Sequence, residues 1–170
     1  PGGEKAIRTC TVAITDTAGV TLNQNVTVTT TGTNDKPTAA AHDGLTTDNW
    51  TPLTVSAATL LAGASDVDLS DTLALSSVQG AVGGTIALVG GNAVFTPTAT
   101  AIGACSFTYT TSDGHGGTST ATTSLTTTLH QITGTVGSDA LAGGAKMAQI
   151  DGLDGNDVIA AGGAGDKITG

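Results

Sequence analysis

The chain holds 170 residues, with 14 acidic against 5 basic side chains and a pI near 4.2. This balance excludes a nucleic-acid binder, because no basic stripe is present to neutralise phosphates, and no apolar run approaches the roughly 18 residues of a spanning helix. Thr, Ala and Gly dominate while aromatics make up 2%, a composition that favours strands over helices and suits a protein kept soluble by net charge and carrying bound cations.

The length accommodates one ordinary domain plus fragments, and the chain is expected to be an internal piece of something longer. Residues 1–33 are expected to contribute a hairpin. Arg8 to Ile14 and Thr21 to Thr30 alternate apolar residues with Thr, around the turn Asp16-Thr17-Ala18-Gly19. A lone hairpin is marginal in water, so it should belong to a domain whose other strands lie elsewhere, or pair with another chain. Residues 34–37, Asn-Asp-Lys-Pro, form a linker that breaks the strand and presents oxygen ligands at the joint.

Residues 38–130 read as a β-sandwich, a series of short strands with turn signals about every ten residues. Expected strands are Thr51–Val55, Thr72–Val78, Gly84–Val89, Ala93–Thr96, Ser106–Thr111 and Thr118–Leu129, with one helical turn over Ala57–Ala62. Setting Asp113 on Asp16 brings Phe107 onto Cys10, Tyr109 onto Val12 and Leu125 onto Val28, so the opening hairpin repeats the last strands of the sandwich.

Residues 131–170 carry an aliphatic residue every nine positions: Ile132, Leu141, Ile150, Ile159 and Ile168. Two residues before the aliphatic stands Asp139, Asp157 or Asp166, with Ala148 as the gap, and glycines fill much of the remainder. This is the nonapeptide pattern of a calcium-binding parallel β-roll. Each unit is half a coil, so Asp139 and Asp157 are expected to stack and share Ca2+, whereas Asp166 stacks on Ala148, so that its ion is expected to be absent or completed by residues beyond 170. Lys146 replaces the glycine found at 137 and 155, and a side chain there disfavours both the turn and the metal.

A second acidic loop, Asp66, Asp68 and Asp71, packs three carboxylates within six residues, as an oxygen-seeking cation requires. Without a cation, like-charge repulsion would raise their pKa values. Asp16, Asp43 and Asp48 are secondary candidates. Asp113-Gly114 reads as a turn, since Asp-Gly favours positive φ angles. His42, His115 and His130 are scattered and show no i, i+4 zinc pairing. Cys10 and Cys105 are too few for a disulfide framework. Trp50 is expected to be a packed or interface residue. No nucleophile elbow, zinc-protease helix or phosphate loop is present, and Glu4 is the only glutamate, so catalysis is not expected from this piece.

Several of these residues stand in a familiar order: Leu60-Leu61-Ala62, Ser65-Asp66-Val67-Asp68, Asp71-Thr72-Leu73, Phe95-Thr96-Pro97, Ser106 to Thr110, Ser112-Asp113-Gly114 and Gly116-Gly117. The ordered set resembles the cadherin-like tandem domain of large secreted bacterial adhesins, and the nonapeptides resemble the RTX family. The cadherin-like resemblance implies an Ig/cadherin-like β-sandwich, with Asn34 and Asp35 converging with Asp66 and Asp68 on one interdomain calcium ion. It further implies an extracellular, calcium-stiffened adhesive module exported by type I secretion. Its partners would be neighbouring domains of the same long chain and a cell-surface or matrix target. Gly63-Ala64 stands where that family usually has Asn-Asp, and Leu69-Ser70 lengthens the acidic loop by one. A non-catalytic accessory region of a secreted hydrolase or protease, and a filament or layer subunit assembled by strand pairing, remain open alternatives.

Overall fold

The computed structural model describes residues 5–163 and 165–170; residues 1–4 of the expected hairpin segment, and Ala164, lie outside the described residues. The chain is almost wholly β, with one short helix. Strands β1 (Lys5–Thr15) and β2 (Thr21–Thr31) form an antiparallel hairpin. One face of it pairs Cys10 with Val26, Val12 with Gln24 and Ile14 with Leu22. Alternation has set the apolar side chains on one face, yet Ile14 and Leu22 remain 60% and 65% exposed.

The sandwich follows. Its first sheet, in the order β3-β9-β8-β5, contains β3 (His42–Asp48), β5 (Ala74–Val82), β8 (Gly103–Ser112) and β9 (Thr118–Thr128). The second, β4-β7-β6, contains β4 (Leu53–Val55), β6 (Gly84–Val89) and β7 (Asn92–Pro97). Strand β3 was not among the expected strands, because His-Asp-Gly-Leu-Thr-Thr-Asp offers no alternating apolar face. It forms nonetheless, running parallel to β9 with Leu45 opposite Leu125. Strand β5 starts at Ala74 rather than Thr72, so the acidic loop is longer than expected.

Alternation along β8 buries Cys105, Phe107, Tyr109 and Thr111, and along β9 Thr123, Leu125 and Thr127. These meet Phe95 and Ala93 of β7, Val55 of β4, and Leu60 of helix α1 (Ala57–Leu61), which Ser56 caps by accepting the Thr59 N–H at 3.0 Å. Phe95 and Phe107 stack with centroids 6.3 Å apart, and the Tyr109 hydroxyl is shared between the carbonyls of Ala40 and Leu60.

The tail is a two-sided parallel roll. Strands β10 (His130–Thr133), β12 (Ala148–Asp151) and β14 (Lys167–Thr169) form one sheet, and β11 (Ala140–Ala142) and β13 (Val158–Ala160) the other. Ile132 lies opposite Ile150 and Ile150 opposite Ile168, while Leu141 faces Ile159, so residues eighteen apart in the sequence stack from coil to coil. Ala148 and Ile150 are fully buried.

Asp48 sits where β3 ends. Partial burial pushes its carboxyl up, but hydrogen bonds from the His130 ring, the Trp50 amide and Thr51 outweigh burial and hold it at about 2.

Two predictions follow from this packing. Phe107→Ala should cost about 3–5 kcal/mol in urea unfolding, whereas Val28→Thr on the exposed hairpin should stay within about 0.5 kcal/mol. Because the folded-state pKa of Asp48 is depressed, its contribution is present above the ordinary value of 3.8 and lost as pH falls towards 2. Trp50 fluorescence should therefore show an acid transition in that window, and Asp48→Asn should abolish it.

Candidate metal centre

Three separate segments meet at the end of the sandwich where β8 turns into β9. The linker brings Asn34, the loop between α1 and β5 brings Asp66 and Asp71, and the β8–β9 turn brings Asp113. The linker is laid beside the loop by a two-way backbone bridge, Thr38 N–H to Ser65 O at 2.7 Å and Ser65 N–H to Thr38 O at 3.0 Å. Pro37 is buried next to it.

One oxygen from each of Asp66, Asp71 and Asp113 lies within 4.8 Å of the others. A calcium ion holds its oxygens at about 2.3–2.6 Å, so donors on opposite sides are about 5 Å apart. The spacing fits one such ion between the three carboxylates.

Each carboxylate has a definite local role. Asp113 is 2% exposed. Its Oδ1 accepts the His115 and Gly117 amides at 2.7 and 3.0 Å, closing the turn, and its Oδ2 accepts Asn34 Nδ2 at 2.8 Å. The Asn34 amide, opposed by burial and aided by the two backbone amides, holds the Asp113 carboxyl below the usual range. A Cβ at Gly117 would collide with this carboxylate and come within 2.9 Å of Lys36 Cα, so glycine is required there. Asp66 Oδ1 accepts the Asp68 amide at 2.9 Å. The Asp71 side chain is fully buried; His115 Nδ1 lies 3.1 Å from its Oδ2, without the alignment of a hydrogen bond.

What remains is a set of buried oxygens with no hydrogen-bond partner among the described residues: Asn34 Oδ1, Asp66 Oδ2 and both oxygens of Asp71. All are acceptors. Buried acceptors left without a donor cost of order 1–3 kcal/mol each, and more when charged, and a hard divalent cation satisfies them together.

The structure brings Asn34, Asp66 and Asp71 to one place and leaves Asp35 and Asp68 beside it. The Asp35 amide donates to Asp68 Oδ2 at 2.9 Å, and this bond holds the Asp68 carboxyl below the usual range. Asp113, expected only as a turn residue, is a member of the cluster. The Asp-Gly signal shows the turn and hides the second oxygen. Asp16 reproduces the same turn in the hairpin, with Oδ1 accepting the Ala18 and Val20 amides at 2.9 and 2.8 Å. Asp43 is exposed on β3.

In the roll, Asp157 Oδ1 accepts the Asp139 amide at 3.0 Å, and Asp166 Oδ1 accepts the Ala148 amide at 2.8 Å. Asp139 Oδ2 accepts both donors of Thr135, at 2.6 and 2.9 Å. The stacking contact thus runs from a carboxylate to the main chain of the coil before it. Asp166 thus stacks on residue 148 as expected, with the Ala148 amide as its partner in place of a second carboxylate.

A family model for the cadherin-like domain matches residues 33–128, a span that contains Asn34, Asp66, Asp71 and Asp113. No curated protein and no solved structure matches the chain. With more than half its length matched, and an all-β sandwich over the matched residues, the chain belongs to the cadherin-like domain family.

Proposed function

We propose that this chain is a calcium-stabilised structural and adhesive module of a large extracellular repeat protein exported by type I secretion, and that its tail is the start of an RTX roll. The observation that carries this reading is the set of buried, donor-less oxygens on Asn34, Asp66 and Asp71 around Asp113. Oxygen-only donors at this spacing suit Ca2+ better than a transition metal, which favours nitrogen and sulfur. Asn34, Asp66, Asp71 and Asp113 hold the ion, while Asp35 and Asp68 orient the linker against the loop. One ion then ties the linker to the domain it enters and stiffens the joint.

The tandem arrangement is supported by the hairpin. Its cross-strand pairs Cys10–Val26, Val12–Gln24 and Ile14–Leu22 correspond, at one constant offset, to Phe107–Thr123, Tyr109–Ala121 and Thr111–Ser119. In the sandwich this face packs on the core. The exposed apolar face of β1–β2 is thus the inner face of a preceding copy, and the remaining strands of that copy cover it. In the low calcium of a cytosol the carboxylates repel and the segments stay open for export. Millimolar calcium outside orders them, so that metal binding becomes folding free energy.

Two measurements test the proposal. Saturating calcium, at roughly 100 times its Kd, should raise the thermal midpoint by about 5–10 °C over chelator; equal midpoints by circular dichroism would refute it. Asp71→Asn should invert the effect. In chelator it relieves carboxylate repulsion and stabilises by about 1–3 kcal/mol, and in calcium it loses the increment, both read from urea unfolding.

A further inference from the structure

At the opposite end of β9 from the carboxylate cluster, the bend Asp48-Asn49-Trp50 meets the roll. Asn49 has no exposed surface. Its Nδ2 donates to Ala99 O at 2.9 Å in the sandwich and to Met147 O at 2.8 Å in the roll, and its Oδ1 accepts the His130 amide at 2.9 Å. Its backbone amide donates to Thr128 O at 2.9 Å, and its carbonyl accepts Lys146 Nζ at 3.1 Å. Trp50 adds a bond from Nε1 to Met147 O at 3.0 Å and stacks on His130, centroids 4.4 Å apart and planes 13° from parallel. His130 Nδ1 closes the ring of contacts on Asp48 Oδ2 at 3.0 Å. A Cβ at Gly144 would come within 2.6 Å of the Trp50 ring, so the indole lies directly on the main chain of the roll.

The nonapeptide that makes these contacts departs from the repeat at two positions: Lys146 stands where 137 and 155 are glycine and 164 is alanine, and Ala148 stands where 139, 157 and 166 are aspartate. The first departure serves the joint, since the ammonium reaches the Asn49 carbonyl, while the small side chain at 148 is fully buried on the same strand face as Ile150. The strand of this nonapeptide, β12, is already paired on both sides, with β10 and β14, so its departures from the repeat do not serve to end the array. We infer that the 143–151 nonapeptide is the attachment point of the roll, adapted to the Asp48–Trp50 corner, so that sandwich and roll form one rigid body. None of Asn34, Asp66, Asp71 and Asp113 takes part in this joint, so it is expected to hold with or without an ion at their cluster.

The test uses the full chain by NMR, in calcium and in chelator. Residual dipolar couplings of residues 38–129 and 130–151 should fit one alignment tensor in both buffers; two independent tensors would overturn the inference. Lys146→Gly restores the glycine of the neighbouring repeats and should nonetheless loosen the joint. Amides 148–151 should exchange about tenfold faster while those of Phe107 and Tyr109 are unchanged. Trp50→Phe, which keeps the stack and removes the indole donor, should act in the same direction. Unchanged or slower exchange in Lys146→Gly would contradict an anchoring role. Should either variant also lose protection in β8, the wild-type tensors decide alone.

Discussion

One oxygen from each of Asp66, Asp71 and Asp113 lies within 4.8 Å of the others, and oxygens of Asn34, Asp66 and Asp71 are buried with no hydrogen-bond partner among the described residues, an arrangement that costs free energy unless a donor or cation meets it. This constraint organises the N-terminal half of the sandwich. The linker bends so that the Asn34 amide can donate to Asp113, the loop after α1 folds back so that Asp66 and Asp71 face inward, and Gly117 leaves the space in which the turn closes over them.

The core explains why such a device is needed. Its large side chains are Phe95, Phe107, Tyr109 and Leu60, and much of the rest is Ala and Thr. Alanine buries little area, and transfer from water yields only about 25 cal/mol per Å2. Thr111 and Thr123 are wholly buried, and their hydroxyls lack a hydrogen-bond partner among the described residues, which offsets part of what their methyl groups contribute. A sandwich with this interior gains stability from its edges: the Tyr109 hydroxyl tying Ala40 and Leu60, the cluster at one end, and the Asn49 network at the other.

The strands with alternating apolar residues, the single helical turn and the nine-residue period of the roll were legible because each is a local pattern. Strand β3 was not, because its polar residues are held in a sheet by β9, and a parallel neighbour leaves no turn in the sequence to announce it. At the cluster, spacing marked the acidic loop but could not say which carboxylates face inward. That choice is made by the Asp35 amide, which engages Asp68, and by the turn from Asp68 O to the Asp71 amide, which directs Asp71 into the interior. Asn49 left no trace in the sequence. A buried asparagine is recognisable only once the three segments it bonds, at Ala99, Thr128–His130 and Lys146–Met147, are in place.

The two joints are mechanically related through β3 and β9. The linker and its cluster lead into β3, and β9 leads out through Thr128 to the Asn49 corner and the roll. These strands lie side by side and parallel, with Leu45 opposite Leu125 and Asp48 opposite Thr128. Tension applied at the start of β3 and the end of β9 therefore loads their hydrogen bonds in shear, so that several must break together, whereas peeling from one end would break them singly. Such a layout transmits force only if neither joint swivels. On the calcium reading proposed above, a cation among the carboxylates would fix the N-terminal joint, while the C-terminal joint is held by hydrogen bonds and a stacked indole.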